Sequence, residues 1–303
     1  MKELDHCLIC PRNCGINRNA GFLGYCGSDA AYHIASICIH RGEEPTISGP
    51  LGICNVFFSR CNMHCIFCQN YQISRHEGFV ESKTYTLEEI TSIIAGILDQ
   101  GIDAVGFVTP SHFSPHVTSI ISSLKARGYQ PITVYNTSGY DKPRIIKSLE
   151  GLIDVFLPDF KYLDPRLAKE FSDTEDYPAV IRQSILEMYR QKGPTVVLND
   201  RGQAVSGLII RHLVLPGQVE DSIEVLRWIA SELSPSVSIS LMSQYYPTAC
   251  MAGHPVLGRK ITAGEYDRVL EAMEELGFTN GWIQHPESAD TYAPDFGAEH
   301  PFE

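Results

Sequence analysis

The chain has 303 residues, is 44% hydrophobic and carries a formal net charge of -12 at pH 7, a balance that suits a globular core of one large domain or two small ones. Its acidity disfavours broad binding to a phosphate backbone, which needs clustered Lys and Arg, so nucleic acid is not an expected partner. No apolar stretch approaches membrane-spanning length and the start, Met1, Lys2, Glu3, Leu4 and Asp5, has no signal core, so a cytoplasmic protein without a membrane partner is expected.

Ten cysteines in such a chain are better explained by metals than by disulfides. The first fifty residues are rich in Cys and Gly with little periodicity, and residues 1–50 are read as a small metal-binding module clamped to a larger domain, residues 51–303. Cys7, Cys10, Cys14 and Cys26 supply four thiolates, enough to close the coordination sphere of a structural zinc and hold together a segment too poor in apolar periodicity to fold alone. An auxiliary iron–sulfur cluster is the competing reading, and free or regulatory thiols a third. Cys38, Cys54 and Cys250 lie in or near apolar runs and are expected in the core.

A strand is predicted over 52–58, and directly after it come Cys61, Cys65 and Cys68, at Cys-x3-Cys-x2-Cys spacing. Three thiolates on one short loop hold three corners of a cubane [4Fe–4S] cluster, whereas clusters that only transfer electrons use four. One iron is then left open to chelate the amino and carboxylate groups of a small molecule, which is how S-adenosylmethionine is reductively cleaved. A zinc site completed by His64, His76 or a distant Cys is the competing reading of the triad. The polar neighbours Asn62, His64, Gln69 and Asn70 argue against three cysteines that merely pack a core.

Short β-rich runs then alternate with helical patterns. Thr86 and Glu89 form a capping box for a helix whose apolar face is Ile90, Ile93, Ile94, Ile97 and Leu98, closed by Gly101. Strands are predicted at 103–108, 131–136, 153–158, 195–200 with 208–214, and 237–242, and helices at about 113–127, 142–150, 177–191, 219–233 and 262–276, the last ended by Gly277. Such alternation implies parallel pairing through right-handed crossovers. Six units predict an α/β fold, a partial (β/α)6 TIM-like barrel, open on one side, with the Cys-rich module at its amino end. Chemistry in such folds gathers after the carboxyl ends of the strands. The cysteine loop lies there, as do Thr109, Ser111, His112, Asn136, Ser138, Asp159 and Lys161. Each has a plainer reading: Asp-x-Lys as a surface ion pair, Asn136 to Gly139 as a turn, and His112 as a loop-orienting residue as readily as a proton carrier.

The segment Cys61, Asn62, Met63, His64, Cys65, Ile66, Phe67, Cys68, Gln69, Asn70 resembles the cluster loop of the radical S-adenosylmethionine superfamily, and more narrowly its pyruvate formate-lyase-activating-enzyme-like branch. The stretches Gly42 to Pro45, Val108 to His112, Leu157 to Tyr162 and Arg211 to Gly217 are similar to that branch too. The resemblance implies an oxidoreductase in which Cys61, Cys65 and Cys68 ligate a [4Fe–4S] cluster and Phe67 lies near the adenine of S-adenosylmethionine. It further implies that Asp159 and Lys161 hold the methionine part. Asn136 stands where the branch tends to carry an acid, and Val108, Thr109, Pro110, Ser111, His112 replace a Gly-Gly-Glu-Pro-like segment, so amino-group recognition falls to backbone carbonyls or to Thr109 and Ser111. The implied partners are a one-electron donor of flavodoxin or ferredoxin type and a glycyl radical enzyme to be activated. Radical modification of a small molecule or peptide is the alternative, and a non-catalytic metal-binding or electron-carrier protein a remoter one.

Overall fold

The computed structural model describes residues 1–76, 78–285, 294–298 and 301–302. Its strands are β1 Tyr32–His40, β2 Ile53–Phe58, β3 Lys83–Tyr85, β4 Ala104–Val108, β5 Ile132–Thr137, β6 Val155–Pro158, β7 Val197–Leu198, β8 Ala204–Leu213, β9 Ser238–Met242 and β10 Gly281–Ile283. They form one sheet in the order β10-β9-β8-β6-β5-β4-β2-β1-β3, with β7 paired to β8. Every pair from β2 to β10 along this path is parallel. A mostly parallel sheet with alternating helices and, among the described residues, no pairing of its two edges is the open barrel expected from the alternation.

The six predicted units are present, with three additions. β10 is a short seventh parallel strand beside β9. β1 runs antiparallel to β2 and carries β3 on its other edge, so the segment after the amino-terminal cysteines becomes part of the sheet. β7 is not an extension of β8 but its antiparallel hairpin partner, turning through Asn199 to Gly202. The reason is local: Asn199 accepts the amides of Arg201 and Gln203, at 3.0 Å each, and folds the chain back.

Alternation along the strands assigns two faces. Cys54, Val56, Phe58, Val105, Phe107, Tyr135 and Phe156 join the main core with the helices. Ile53, Ala104, Val134, Val155 and Ile209 form a second, smaller cluster on the opposite face with Ile47. The helices start where the capping chemistry says. Leu87–Leu98 begins at a capping box in which Thr86 Oγ1 accepts the Glu89 amide at 3.2 Å and Glu89 accepts the Thr86 amide at 2.7 Å, satisfying two orphan donors. Ala263–Glu275 has the same device from Thr262 and Glu265. Helix Pro165–Ser172, capped by Asp164, was not foreseen, and it carries a residue of the site. Cys54 is fully buried and Cys38 partly so, as apolar context implies, but Cys250 is exposed, because its turn Ala249–Met251 buries only Met251. Among the described residues no helix is long and apolar enough to cross a membrane.

Candidate active site

The loop after β2 is fixed from three sides before any ligand enters. Its backbone amides at His64 and Ile66 donate to the carbonyls of Ser172 and Phe171, at 3.1 and 2.9 Å, and the Asn62 side chain donates to the Tyr140 carbonyl at 2.9 Å. Arg12 donates to the Asn62 carbonyl at 2.9 Å. Each of the three sulfurs accepts a hydrogen bond. Cys61 Sγ accepts the Met63 amide at 3.4 Å, Cys65 Sγ the Ser172 hydroxyl at 3.0 Å and Cys68 Sγ the Ser74 hydroxyl at 3.2 Å.

Burial pushes all three thiol pKa values up; for Cys65, burial leads and the nearby Lys161 ammonium pulls the other way, leaving it at about 11. Three desolvated sulfurs are poor isolated anions, and become stable thiolates only against positive charge. The set contains no fourth cysteine: Cys7, Cys10, Cys14 and Cys26 line a separate cavity, and Cys38, Cys54 and Cys250 lie elsewhere in the fold. Three thiols with donors on every sulfur and no fourth cysteine fit a cluster with one free iron.

Beside this loop Phe67, Asp159, Lys161, Leu213 and Leu215 line one pocket. Lys161 Nζ lies 2.7 Å from Asp159 Oδ2, with the side chains only 17% and 28% exposed. Burial opposes the charge on Lys161, but Asp159, foremost among the groups around it, together with Cys65 and Tyr177 offsets this, so its pKa is raised and it is an ammonium at neutral pH. This pair is therefore not the exposed one of the plainer reading. Tyr177 holds the Asp159 carbonyl, its hydroxyl donating at 2.7 Å. The backbone folds tightly here because Gly139 has φ +76° and a Cβ there would fall 2.0 Å from Ile181 Cδ1.

The remaining sequence candidates sit differently. Thr109, directly after β4, has φ +56°, an unusual conformation for a β-branched residue, and its amide donates to the Asn136 carbonyl at 2.9 Å. The Asn136 side chain donates to Glu43 Oε1 at 3.4 Å. Ser111 is buried against Thr137 at 3.0 Å. His112 is fully buried, its Nε2 is 3.1 Å from the Ser59 carbonyl, and burial drives its pKa well down. It lines the amino-terminal cysteine cavity.

Sequence reading missed a second polar group inside the barrel. Arg211 on β8 makes ion pairs with Glu43 and, at 2.6 Å, with Glu44, and Glu43 also accepts from Asn55 at 2.7 Å. Burial pushes Glu43 up, but Arg211, with His40 and Asn55 beside it, outweighs this and holds the carboxyl well below the usual range. Gly106 is required beside it, since a Cβ would meet Asn55 Oδ1 at 2.1 Å. Ser172 and Ser74, which touch the cluster-loop sulfurs, carried no sequence signal, being ordinary helix residues in pattern.

An open parallel barrel with a three-thiol loop after its first parallel strand, and an acid–amine pocket at the strand ends beside it, has the donor set of an iron–sulfur enzyme with room for a small cofactor. The chain belongs to the radical SAM superfamily, whose family model matches residues 55–229. It is 27% identical over 275 residues to the uncharacterized protein MJ0674 of Methanocaldococcus jannaschii, spanning 89% of this chain and 75% of that one. Among solved structures, a radical SAM methyltransferase from Sphaerobacter thermophilus aligns over 80% of this chain and 69% of its own, with TM-score 0.54 at 13% identity. SuiB of Streptococcus suis aligns over 76% of this chain and 49% of its own, with TM-score 0.50 at 15% identity. These likenesses show the shared fold. Membership of the superfamily brings a [4Fe–4S] cluster and S-adenosylmethionine as cofactors.

Proposed function

We propose that the chain generates a radical from S-adenosylmethionine and directs it at a glycine backbone C–H of a partner protein, in the manner of a glycyl radical enzyme activase. The observation that carries the reading is the Asp159–Lys161 pocket, lined also by Phe67 and adjacent to the three thiols. When bound, the cluster and S-adenosylmethionine supply a 5'-deoxyadenosyl radical strong enough to take hydrogen from an unactivated carbon.

The chain's own residues do the rest. Cys61, Cys65 and Cys68 hold the cluster, and their three hydrogen-bond donors offset the negative charge of the thiolates. Lys161 supplies fixed positive charge for a carboxylate, Asp159 sits beside it as acceptor for an ammonium, and Phe67 offers an apolar face for a nucleobase. Leu213 and Leu215 keep the pocket wall apolar, which excludes water from a reactive carbon radical. The flavodoxin- or ferredoxin-type donor and a reducing cytoplasmic setting complete the proposal.

Radical modification of a small molecule or peptide is the second reading. It is favoured by the barrel-interior layer of Asn55, Asn136, Glu43 and Arg211, which is polar enough to serve a soluble substrate. Anaerobic reconstitution and dithionite reduction with S-adenosylmethionine should yield 5'-deoxyadenosine in excess over a Cys65→Ser control. Incubation with candidate glycyl radical enzymes should then produce a glycine-centred paramagnetic doublet. Deoxyadenosine without a doublet on any of them would transfer the proposal to the second reading.

A further inference from the structure

A slot on the inner face of the sheet is filled by a late segment of the chain itself. Phe57 of β2 and Val108 of β4 face away from the main core, in step with Ile53 and Ala104 earlier on the same strands. With Ile73 and Phe296 they form a buried cluster of their own. The Phe296 ring lies 5.2 Å from that of Phe57, and the Phe302 ring lies 5.3 Å from Phe57 and 4.1 Å from His40. The slot adjoins the cluster loop at both of its ends. Phe57 belongs to the strand that leads into Cys61, and Ile73 precedes Ser74, whose hydroxyl donates to Cys68 Sγ.

The segment in the slot is lightly held. Gln72 Oε1 accepts the Phe296 amide and Gln72 Nε2 donates to Asp295 Oδ1, at 2.9 Å each, so a single side-chain amide grips it. Its other hydrogen bonds are internal: the Asp295 amide donates to the Pro301 carbonyl at 2.9 Å, and the Ala298 amide to the Asp295 carbonyl at 3.1 Å. Among the described residues no main-chain hydrogen bond ties it to the sheet. Phe296 is buried, but Phe302 is 37% exposed and Asp295, Gly297 and Ala298 are exposed as well. A segment with few buried contacts and no strand pairing is among the first to open.

We propose that this slot is the docking site for an extended, phenylalanine-bearing segment of a protein substrate, and that residues 294–298 and 301–302 stand in for it until the substrate displaces them. The assignment rests on the proposed reading that the substrate is a polypeptide. Gln72 takes the incoming backbone amide, and Phe57 and His40 take the incoming rings. Position favours this occupant, because the slot opens at the carboxyl ends of β2 and β4, on the side where the radical is made. Chemistry favours it too. A small polar molecule has no use for an apolar slot beside a clamp for main-chain N–H, whereas a polypeptide uses both. Because the stand-in is tethered, it competes at an effective concentration on the order of millimolar, so an incoming segment prevails by adding contacts outside the slot.

The probe is a fluorescein-labelled peptide with the sequence of residues 294–303, added without reductant to the whole, anaerobically reconstituted chain and followed by fluorescence anisotropy. The variant carrying Phe296→Ala and Phe302→Ala has a stand-in that no longer fills the slot. It should bind the peptide at least about tenfold more tightly than the native chain. A second peptide with alanine at both phenylalanine positions should bind neither chain. On the native chain, where no substitution touches the fold, the first peptide should still bind at millimolar concentration and the second should not. Equal affinity of the two chains for the first peptide, no binding to either, or equal binding of the second peptide would overturn the proposal. Binding needs no radical, so the two readings separate. Peptide binding with no glycine-centred doublet on any candidate keeps the slot and moves the substrate to another polypeptide, whereas a doublet without peptide binding removes the slot alone.

Discussion

Ser172 donates a 3.0 Å hydrogen bond to the sulfur of Cys65, 107 positions away in the chain, and Tyr162 Oη lies 2.7 Å from Ser172 Oγ. Ser172 and Tyr162 are both buried. A donor on a cluster thiolate stabilises the more negative, reduced state. Ser172→Ala should therefore keep the iron content and lower the reduction potential by on the order of tens of millivolts, read by a redox titration followed by paramagnetic resonance. An unchanged potential would remove Ser172 from the site.

Asp159 and Lys161 form a partly buried pair, and removing one member leaves the other charge without its partner. Asp159→Asn should weaken S-adenosylmethionine binding to the reconstituted protein by roughly 10–100-fold, or about 1.4–2.8 kcal/mol. Equilibrium dialysis measures this directly. Native affinity in that variant would detach the pair from cofactor recognition.

Arg211 satisfies two buried carboxylates at once. Its replacement by Met strands Glu43 and Glu44, and Arg211→Met should cost about 3–5 kcal/mol in urea unfolding. A loss under about 1 kcal/mol would show that solvent reaches this layer.

Asp221 accepts the backbone amides of Leu163 and Asp164, at 3.1 and 2.7 Å, yet burial lifts its pKa from 3.8 to about 6. Between those values the folded chain binds more protons than the unfolded one, so this group makes stability fall as pH rises from 3.8 to about 6 and leaves it level above. Asp221→Asn keeps an acceptor and removes the titration. The variant should be more stable than the native chain by about 1 kcal/mol at pH 7, with the difference vanishing near pH 4. Unfolding curves at both pH values test the sign.

Thr109 holds φ +56° at the carboxyl end of β4, a conformation glycine adopts freely. Thr109→Gly should raise the melting temperature by about 1–3 °C. A fall would mean that the Thr109 side chain contributes more than the strain costs.

The strand and helix alternation was legible because the helices are amphipathic while the parallel strands, covered on both faces, are short continuous apolar runs. The Thr86 and Thr262 boxes, the apolar runs of β2, β4, β5 and β9, and the glycine-closed helices all read locally. β1 was not legible, since it is neither a continuous buried run nor a clean alternation, and it is a strand because β2 offers an edge. β10 is three residues long and has too little sequence to announce itself.

The sequence by itself determined that three thiols share one loop. Thiolates spaced within one short turn meet whatever surrounds them, so Cys61, Cys65 and Cys68 could be read as a set. Only the tertiary structure decided what faces that set. Ser172 reaches the Cys65 sulfur, Lys161 and Asp159 share a pocket with Phe67, and Arg211 closes on Glu43 and Glu44. These partners lie tens to hundreds of positions apart, and their pairing follows from strand order and burial, which no local pattern encodes.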